Sequence, residues 1–299
     1  MSDDDEMLAV TERIHPGTRG LDTLETQVLV STILADNHEA LAAVERAAPA
    51  ITRAVELIVE RMRAGGSLHY VGAGTSGRLG VLDAAEMPPT FGTPPDLVQA
   101  HIAGGTLALT RAVEGVEDDA ETGAFEVRAA VRSSDVVVGL SASGGARFVV
   151  SAMRTARALG AATIGVCNDP SAELAHAVDQ AIVVETGPEV LAGSTRLKAG
   201  TAQKLVLNAL STATMVKLGK VYDNLMVDVV AANEKLRRRA VRLVKLLVPP
   251  SDDEAARALL ERAGGSVKLA VVMGRRDVDA QEGRALLARA SGFLRGVIG

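Results

Sequence analysis

Tryptophan is absent from the 299 residues, and only 2 tyrosines and 4 phenylalanines are present. Stacking platforms for nucleic-acid bases are therefore scarce. A basic excess is missing too. The 32 Lys and Arg face 37 Asp and Glu, a formal charge of −5, which leaves no electrostatic footprint for nucleic acid. The single cysteine, Cys167, excludes an intramolecular disulfide and a cysteine-based zinc cluster. It ends the apolar stretch Ala162-Thr-Ile-Gly-Val-Cys167, where it reads as a small buried hydrophobe rather than a nucleophile. His15, His38, His69, His101 and His176 include no two at the short spacing of a local zinc pair. No window approaches the roughly 18 apolar residues of a membrane span. The opening Met-Ser-Asp-Asp-Asp-Glu lacks the basic and apolar regions of a signal peptide. The reducing cytosol is the expected compartment.

What is present suits a globular chain with many tight turns: 47% hydrophobic residues and 29 glycines. In the first third, Leu41, Val44, Ala48, Ile51, Val55, Ile58 and Met62 recur at spacings of three and four, one helix face. Pro49 starts a second helix within this run or kinks the first, and Gly65-Gly66 ends it. Beyond, strand candidates at 67–71, 97–103, 135–140, 163–167 and 181–184 alternate with helical patterns at 78–86, 107–114, 148–159 and 172–178. Such alternation predicts an α/β fold, a doubly wound parallel sheet with helices on both faces. A long helix is expected over 194–218. After 224–230 another is expected over 233–247, ended by Pro249-Pro250. Two or three short helices follow, with Ser251 and Glu254 as a capping box. The expected organisation is a helical segment at 1–56, a sheet-bearing domain at 57–220 and a helical region at 221–299.

Ligands of open parallel sheets bind at the carboxyl ends of strands. Three segments carry hydroxyls and small residues at such ends or at helix starts. They are Gly72-Ala-Gly-Thr75-Ser76-Gly-Arg78, Ser141-Ala-Ser143-Gly-Gly145, and Gly193-Ser194-Thr195-Arg-Leu-Lys198 opening the long helix. Free backbone N–H groups and a positive dipole end there favour a phosphate or another anion. Ordinary helix caps are the plainer reading of any one of them. The first is not a Walker loop. It matches Gly-x-Gly-x-x-Gly, but no acidic residue ends the next strand as a dinucleotide site requires. No Gly-x-Ser-x-Gly elbow is present.

Among carboxylates, Glu86 precedes Pro88-Pro89, which predicts that it sits in the last turn of its helix. The negative dipole end would disfavour its ionisation and suit a general acid. Asp83, on the same face, competes for that role. The acidic run Glu114-Gly-Val-Glu117-Asp-Asp-Ala-Glu121 reads locally as a solvated surface. Arg237-Arg238-Arg239, with Arg242 and Lys245, forms a basic helix face suited to solvent or a subunit contact.

These motifs resemble the N-acetylmuramic acid 6-phosphate etherase family. The resemblance is carried by Gly72-Ala-Gly-Thr-Ser-Gly-Arg-Leu-Gly80, Leu82-Asp-Ala-Ala-Glu86-Met-Pro-Pro-Thr-Phe-Gly92, Ile102-Ala-Gly-Gly105 and Ala112-Val-Glu-Gly-Val-Glu-Asp118. Gly139-Leu-Ser-Ala-Ser-Gly144, Gly193-Ser-Thr-Arg-Leu-Lys-Ala-Gly-Thr-Ala-Gln-Lys204 and Leu218-Gly-Lys-Val-Tyr222 extend it, and Thr11-Glu12 and Leu21-Asp-Thr-Leu24 match the amino-terminal segment. It implies a sugar isomerase (SIS) fold, with 57–220 as the phosphosugar-binding domain. It also implies cleavage of the D-lactyl ether of N-acetylmuramic acid 6-phosphate without metal or organic cofactor. Glu86 is then the proton donor and Glu117 the second catalytic residue and base, with Glu114 its nearest rival. Thr75, Ser76, Ser141, Ser143, Ser194 and Thr195 form the sugar-binding set, the first four with the better warrant. A homodimer in the cytoplasm is implied, binding a small phosphosugar and neither nucleic acid nor membrane. Two departures stand out: Met87 replaces a frequent Cys, and Gly145-Ala146-Arg147 replaces a usual Arg-Thr-Pro. A phosphosugar-sensing regulator of the same fold and a phosphosugar isomerase are the alternatives, and D-lactate formation separates them.

Overall fold

The computed structural model describes residues 8–229 and 234–299. The amino-terminal Met-Ser-Asp-Asp-Asp-Glu, Val230 and the expected helix start at Asn233 lie outside the described residues. The chain divides into two compact units, 8–84 with 96–211, and 85–95 with 212–229 and 234–299.

In the first unit, α1 (Thr26–Arg46) and α2 (Ala48–Arg63) follow three single 3₁₀ turns. Pro49 lies in the first turn of α2, so it starts the second helix. There its missing N–H costs nothing. The apolar stripe splits at that point. Ile51, Val55, Ile58 and Met62 are buried, whereas Leu41 is half exposed.

The sheet has β1 (Leu68–Gly72), β2 (Val98–Ile102), β3 (Val136–Leu140), β4 (Ala162–Cys167) and β5 (Gln180–Val183). All pairs are parallel, in the order β2-β1-β3-β4-β5. β1, β3 and β4 are buried along their whole length, as their continuous apolar runs require. Helices α3 (Gly74–Phe91), α4 (Ala120–Ala130), α5 (Arg147–Ala158), α6 (Glu173–Ala177) and α7 (Lys198–Lys217) separate or follow the strands. One core cluster joins Val71 of β1 and Val137 of β3 to Val127 of α4 and to Phe148 and Met153 of α5. Burying a Phe or Met of this kind stabilises by about 1.5–3 kcal/mol each.

Two expectations need correction here. The 107–114 pattern is a 3₁₀ helix over Gly105–Leu109 followed by a loop. Gly115, at φ 76°, then takes the left-handed conformation and breaks any helical path. The helix in this region is α4, whose start Asp119 caps by accepting from Thr122 N at 2.9 Å. Finally, α3 does not end at Glu86. It continues through Pro88 and Pro89 to Phe91. A proline removes one helical hydrogen bond, a local loss that neighbouring turns can carry.

In the second unit, α8 (Glu234–Leu247), α9 (Asp253–Arg262), α10 (Val267–Arg276), α11 (Ala280–Arg289) and α12 (Arg295–Ile298) share a core with Val241, Val244, Leu260 and Val271. Four helices therefore follow Pro249-Pro250 where two or three were expected. The α9 cap is Asp252, accepting from Ala255 N at 2.8 Å, and not the expected Ser251. Within this unit, buried Lys268 donates to Asp228 Oδ2 at 2.7 Å and to Gly219 O at 2.9 Å. That pairing is what permits its burial.

Candidate active site

The strand order reverses direction between β1 and β3, with Gly72 opposite Leu140. Open α/β sheets bind ligands at this switch point, beyond the carboxyl ends of the strands. The first two hydroxyl-rich segments leave β1 and β3 there. Gly72 and Gly77 face each other so closely that a Cβ on Gly72 would lie 2.7 Å from Gly77 N. Only glycine permits α3 to start directly off the strand. Thr75 is half-buried and Ser76 buried. Ser76 Oγ donates to Gln203 Oε1 at 2.8 Å.

After β3, Ser141 Oγ accepts from Gly144 N at 3.1 Å, and Ser143 Oγ from Gly145 N at 3.4 Å. Gly144 has φ 69°, and a Cβ there would meet Ala172 Cβ at 2.3 Å. Ala146 precedes α5 and supplies no side-chain cap. The exposed Arg147 is the first residue of that helix. A helix start of this kind, behind a turn of small residues, accommodates an anion.

The third segment differs from expectation. α7 begins at Lys198, so Ser194 and Thr195 lie in the loop ahead of it. Its first N–H groups are taken: Lys198 N donates to Glu189 Oε2 at 3.0 Å and Ala199 N to Glu189 Oε1 at 2.9 Å. Burial raises the Glu189 carboxyl above its usual range, against the pull of these two N–H groups. Lys198 Nζ in turn donates to Asp36 Oδ1 at 2.7 Å. Thr195 still approaches the first segment. A Cβ on Gly200 would have Thr195 O at 3.3 Å and Thr75 Cγ2 at 3.6 Å.

Glu117 is exposed in a 3₁₀ turn over Val116–Asp118, and Glu114 is exposed in the preceding loop. Gly115 separates them, so they do not stack on one helix. Arg78 ties this loop region to α3, donating from Nε to Ala108 O at 2.8 Å and from its terminal nitrogen to Arg111 O at 2.9 Å. Glu86 is exposed on α3. Because the helix runs on to Phe91, its negative end lies more than a turn away, and the dipole argument for a protonated Glu86 loses its basis. Asp83 is not a free carboxylate. It accepts from Tyr70 OH at 2.9 Å and Ser211 Oγ at 3.1 Å. Burial raises its pKa, and burial with the Asp83 charge raises that of Tyr70.

Cys167 is buried, and burial pushes its thiol up to about 11, the signature of an unreactive cysteine. Among the described residues, no cluster of three His, Cys, Asp or Glu could hold a metal. Arg237 and Arg238 pair with Glu234 at 3.3 and 3.1 Å on an exposed face.

Sequence comparison gives this geometry its relatives. A family model described as "Glucokinase regulatory protein N-terminal SIS domain" matches residues 50–157, and one described as "SIS domain" matches 109–213. A Symbiobacterium thermophilum protein named N-acetylmuramic acid 6-phosphate etherase is 56% identical over 263 residues, covering 88% of this chain and 87% of that protein. Proteins of the same name from Gloeobacter violaceus and Deinococcus radiodurans are 52% and 49% identical. They cover 95% and 97% of this chain, and 93% and 95% of their own lengths. The chain belongs to the N-acetylmuramic acid 6-phosphate etherase family. The fold of this etherase-family chain is also that of a phosphoheptose isomerase from Francisella tularensis, at TM-score 0.52 and 19% identity over 64% of this chain and 100% of that one. A putative phosphosugar isomerase from Bacteroides fragilis gives TM-score 0.50 at 22% identity, over 66% of this chain and 94% of that one.

Three residues that shape these segments escaped sequence reasoning. Gln203 and Arg78 stand inside quoted motifs, but their spacing to Ser76 and to the 105–111 loop carries no periodic signal. Glu189 lies nine residues before the helix it caps, too far for any local capping pattern.

Proposed function

We propose that the protein cleaves the D-lactyl ether of N-acetylmuramic acid 6-phosphate, giving N-acetylglucosamine 6-phosphate and D-lactate. The observation that carries this reading is identity of about half, over nearly the whole chain, to proteins named N-acetylmuramic acid 6-phosphate etherase. Thr75, Ser76, Ser141 and Ser143, with the uncapped start of α5, hold the phosphosugar. Ser194 and Thr195 add hydroxyls from the loop before α7.

The chemistry calls for one base and one acid. With the sugar ring open, the carbon 1 aldehyde acidifies the proton on carbon 2. Glu117 removes that proton, lactate leaves carbon 3, and Glu86 protonates the departing ether oxygen. Water then adds across the carbon 2–carbon 3 double bond. Both carboxylates are exposed. Their roles rest on the motifs that contain them. The 57–220 stretch is the sugar-binding domain in this reading.

We assign the protein to the cytoplasm as part of the same proposal, and among the described residues no helix is long and apolar enough to cross a membrane. A second copy of the chain is the expected partner. Val30, Leu34 and Leu41 of α1 are all at least half exposed, an apolar stripe that a dimer would cover.

Purified protein incubated with N-acetylmuramic acid 6-phosphate should release D-lactate. Glu86→Ala or Glu117→Ala should slow that release by about 10²- to 10⁴-fold. Folded protein that binds the product sugar yet releases no D-lactate would be a sugar-phosphate sensor. An isomerised sugar without lactate would make it an isomerase.

A further inference from the structure

Gln203 is 1% exposed on the second turn of α7, and its amide nitrogen is buried without a hydrogen-bond partner. Its oxygen accepts the Ser76 proton at 2.8 Å. Two features of this contact conflict with a purely structural role. A buried amide N–H without an acceptor is costly, and interiors seldom keep one. A serine that gives its only proton to the protein also has just lone pairs left for an incoming anion. Turning the amide about its last bond frees the Ser76 proton and leaves the milder orphan, an amide oxygen in place of an N–H, since the two atoms occupy nearly the same volume. Nε2 then donates to Ser76 Oγ, and the Ser76 proton is released towards the ligand. The position suits this. Gly200, one turn earlier on α7, faces Thr75, so the same side of α7 covers the start of α3.

We propose that Gln203 is a positioning residue that sets the direction of the Ser76 proton, holding it when the site is empty and turning it towards a sugar-phosphate oxygen when the ligand is bound. This rests on the reading above that Ser76 contacts the phosphosugar.

The test uses the full chain and two readouts: KM and kcat for D-lactate release, and calorimetric binding of N-acetylglucosamine 6-phosphate. Gln203→Glu places a permanent acceptor at Ser76. KM should rise about tenfold or more near pH 8, with kcat within about threefold. The ratio of variant to wild-type KM should shrink towards about pH 5, as the introduced carboxyl takes up a proton and donates as the amide does. Gln203→Met keeps the length and removes both polar atoms. It should raise KM by about threefold, and it should add little on top of Ser76→Ala.

Folded Gln203 variants that bind the product as the wild type does overturn the proposal. So does a Gln203→Glu KM ratio that is independent of pH, which would mark a structural role alone. Ser76→Ala with unchanged KM overturns it whether or not the Gln203 variants fold. A wild-type protein that neither releases D-lactate nor binds the product defeats the functional reading instead.

Discussion

At the start of α7 the first backbone N–H groups already hold an anion, and it is the protein's own Glu189. At the start of α5 no side chain caps the helix, and the turn before it is built from Ser141, Ser143 and two glycines. Both are helix starts behind a glycine- and serine-bearing segment, with the same backbone dipole. What separates them is occupancy. A filled N-terminus contributes stability, and an open one keeps its donors for a ligand. The amino end of the central strand β3 is filled in the same way. Asp135 accepts from Ser67 N at 2.9 Å, from Arg132 N at 2.7 Å and from the Arg132 guanidinium at 3.2 Å. Burial pushes its carboxyl up, but these donors hold it below the usual range.

The largest effect should come from destroying the open turn. In Gly144→Ala the new methyl would meet Ala172 Cβ at 2.3 Å, in a backbone held at φ 69°. A loss of about 3 kcal/mol in denaturant unfolding is expected, together with loss of product binding. Emptying the filled terminus should act on stability alone. Glu189→Ala leaves two helix N–H groups without their carboxylate, at a cost of about 2–3 kcal/mol. Its KM, measured on the folded fraction, should stay near wild type, and a large rise in KM would erase the distinction between the two helix starts.

Acid offers a third probe, aimed at the histidines beside Asp135. There His69 Nδ1 lies 3.1 Å from His101 Nε2, and His69 Nε2 lies 3.6 Å from Asp135 Oδ2. Burial lowers both imidazoles, His101 to about 4. The unfolded chain takes up protons near pH 6.5, before the folded one does. Stability is therefore complete above that value and falls as the pH drops towards 4. His101 alone should account for about 2 kcal/mol by pH 5. Unfolding curves of His101→Gln should show a flatter dependence over this range. An unchanged slope would mean that the pair does not stay neutral in the fold.

The smallest effect separates the hydroxyls. Ser141→Ala should raise KM by about five- to tenfold, one hydrogen bond to a charged ligand. Ser194→Ala, ahead of the filled helix, should change it by less than about twofold. Equal effects would place the ligand across both segments.

The pattern of the chain reaches a long way into this structure. The five strands, α2, α5 and the turns after β1 and β3 follow from apolar period and glycine placement, because those depend on neighbours a few residues apart. Local pattern failed where distant residues decided the outcome. The 107–114 stretch reads as helical but is redirected by Gly115. α3 passes through Pro88 and Pro89 because two missing hydrogen bonds do not outweigh the rest of an 18-residue helix.

The site divides along the same line. Sequence alone determined that hydroxyls and glycines stand at the ends of two strands, and its resemblance to a family singled out Glu86 and Glu117. Only the tertiary structure decided which helix start is open, that Asp83 is held by Tyr70 and Ser211, and that Gln203 meets Ser76 across 127 positions. The physical reason is that a hydrogen bond depends on position in space to a fraction of an ångström. Periodicity records only which side of its own element a residue faces.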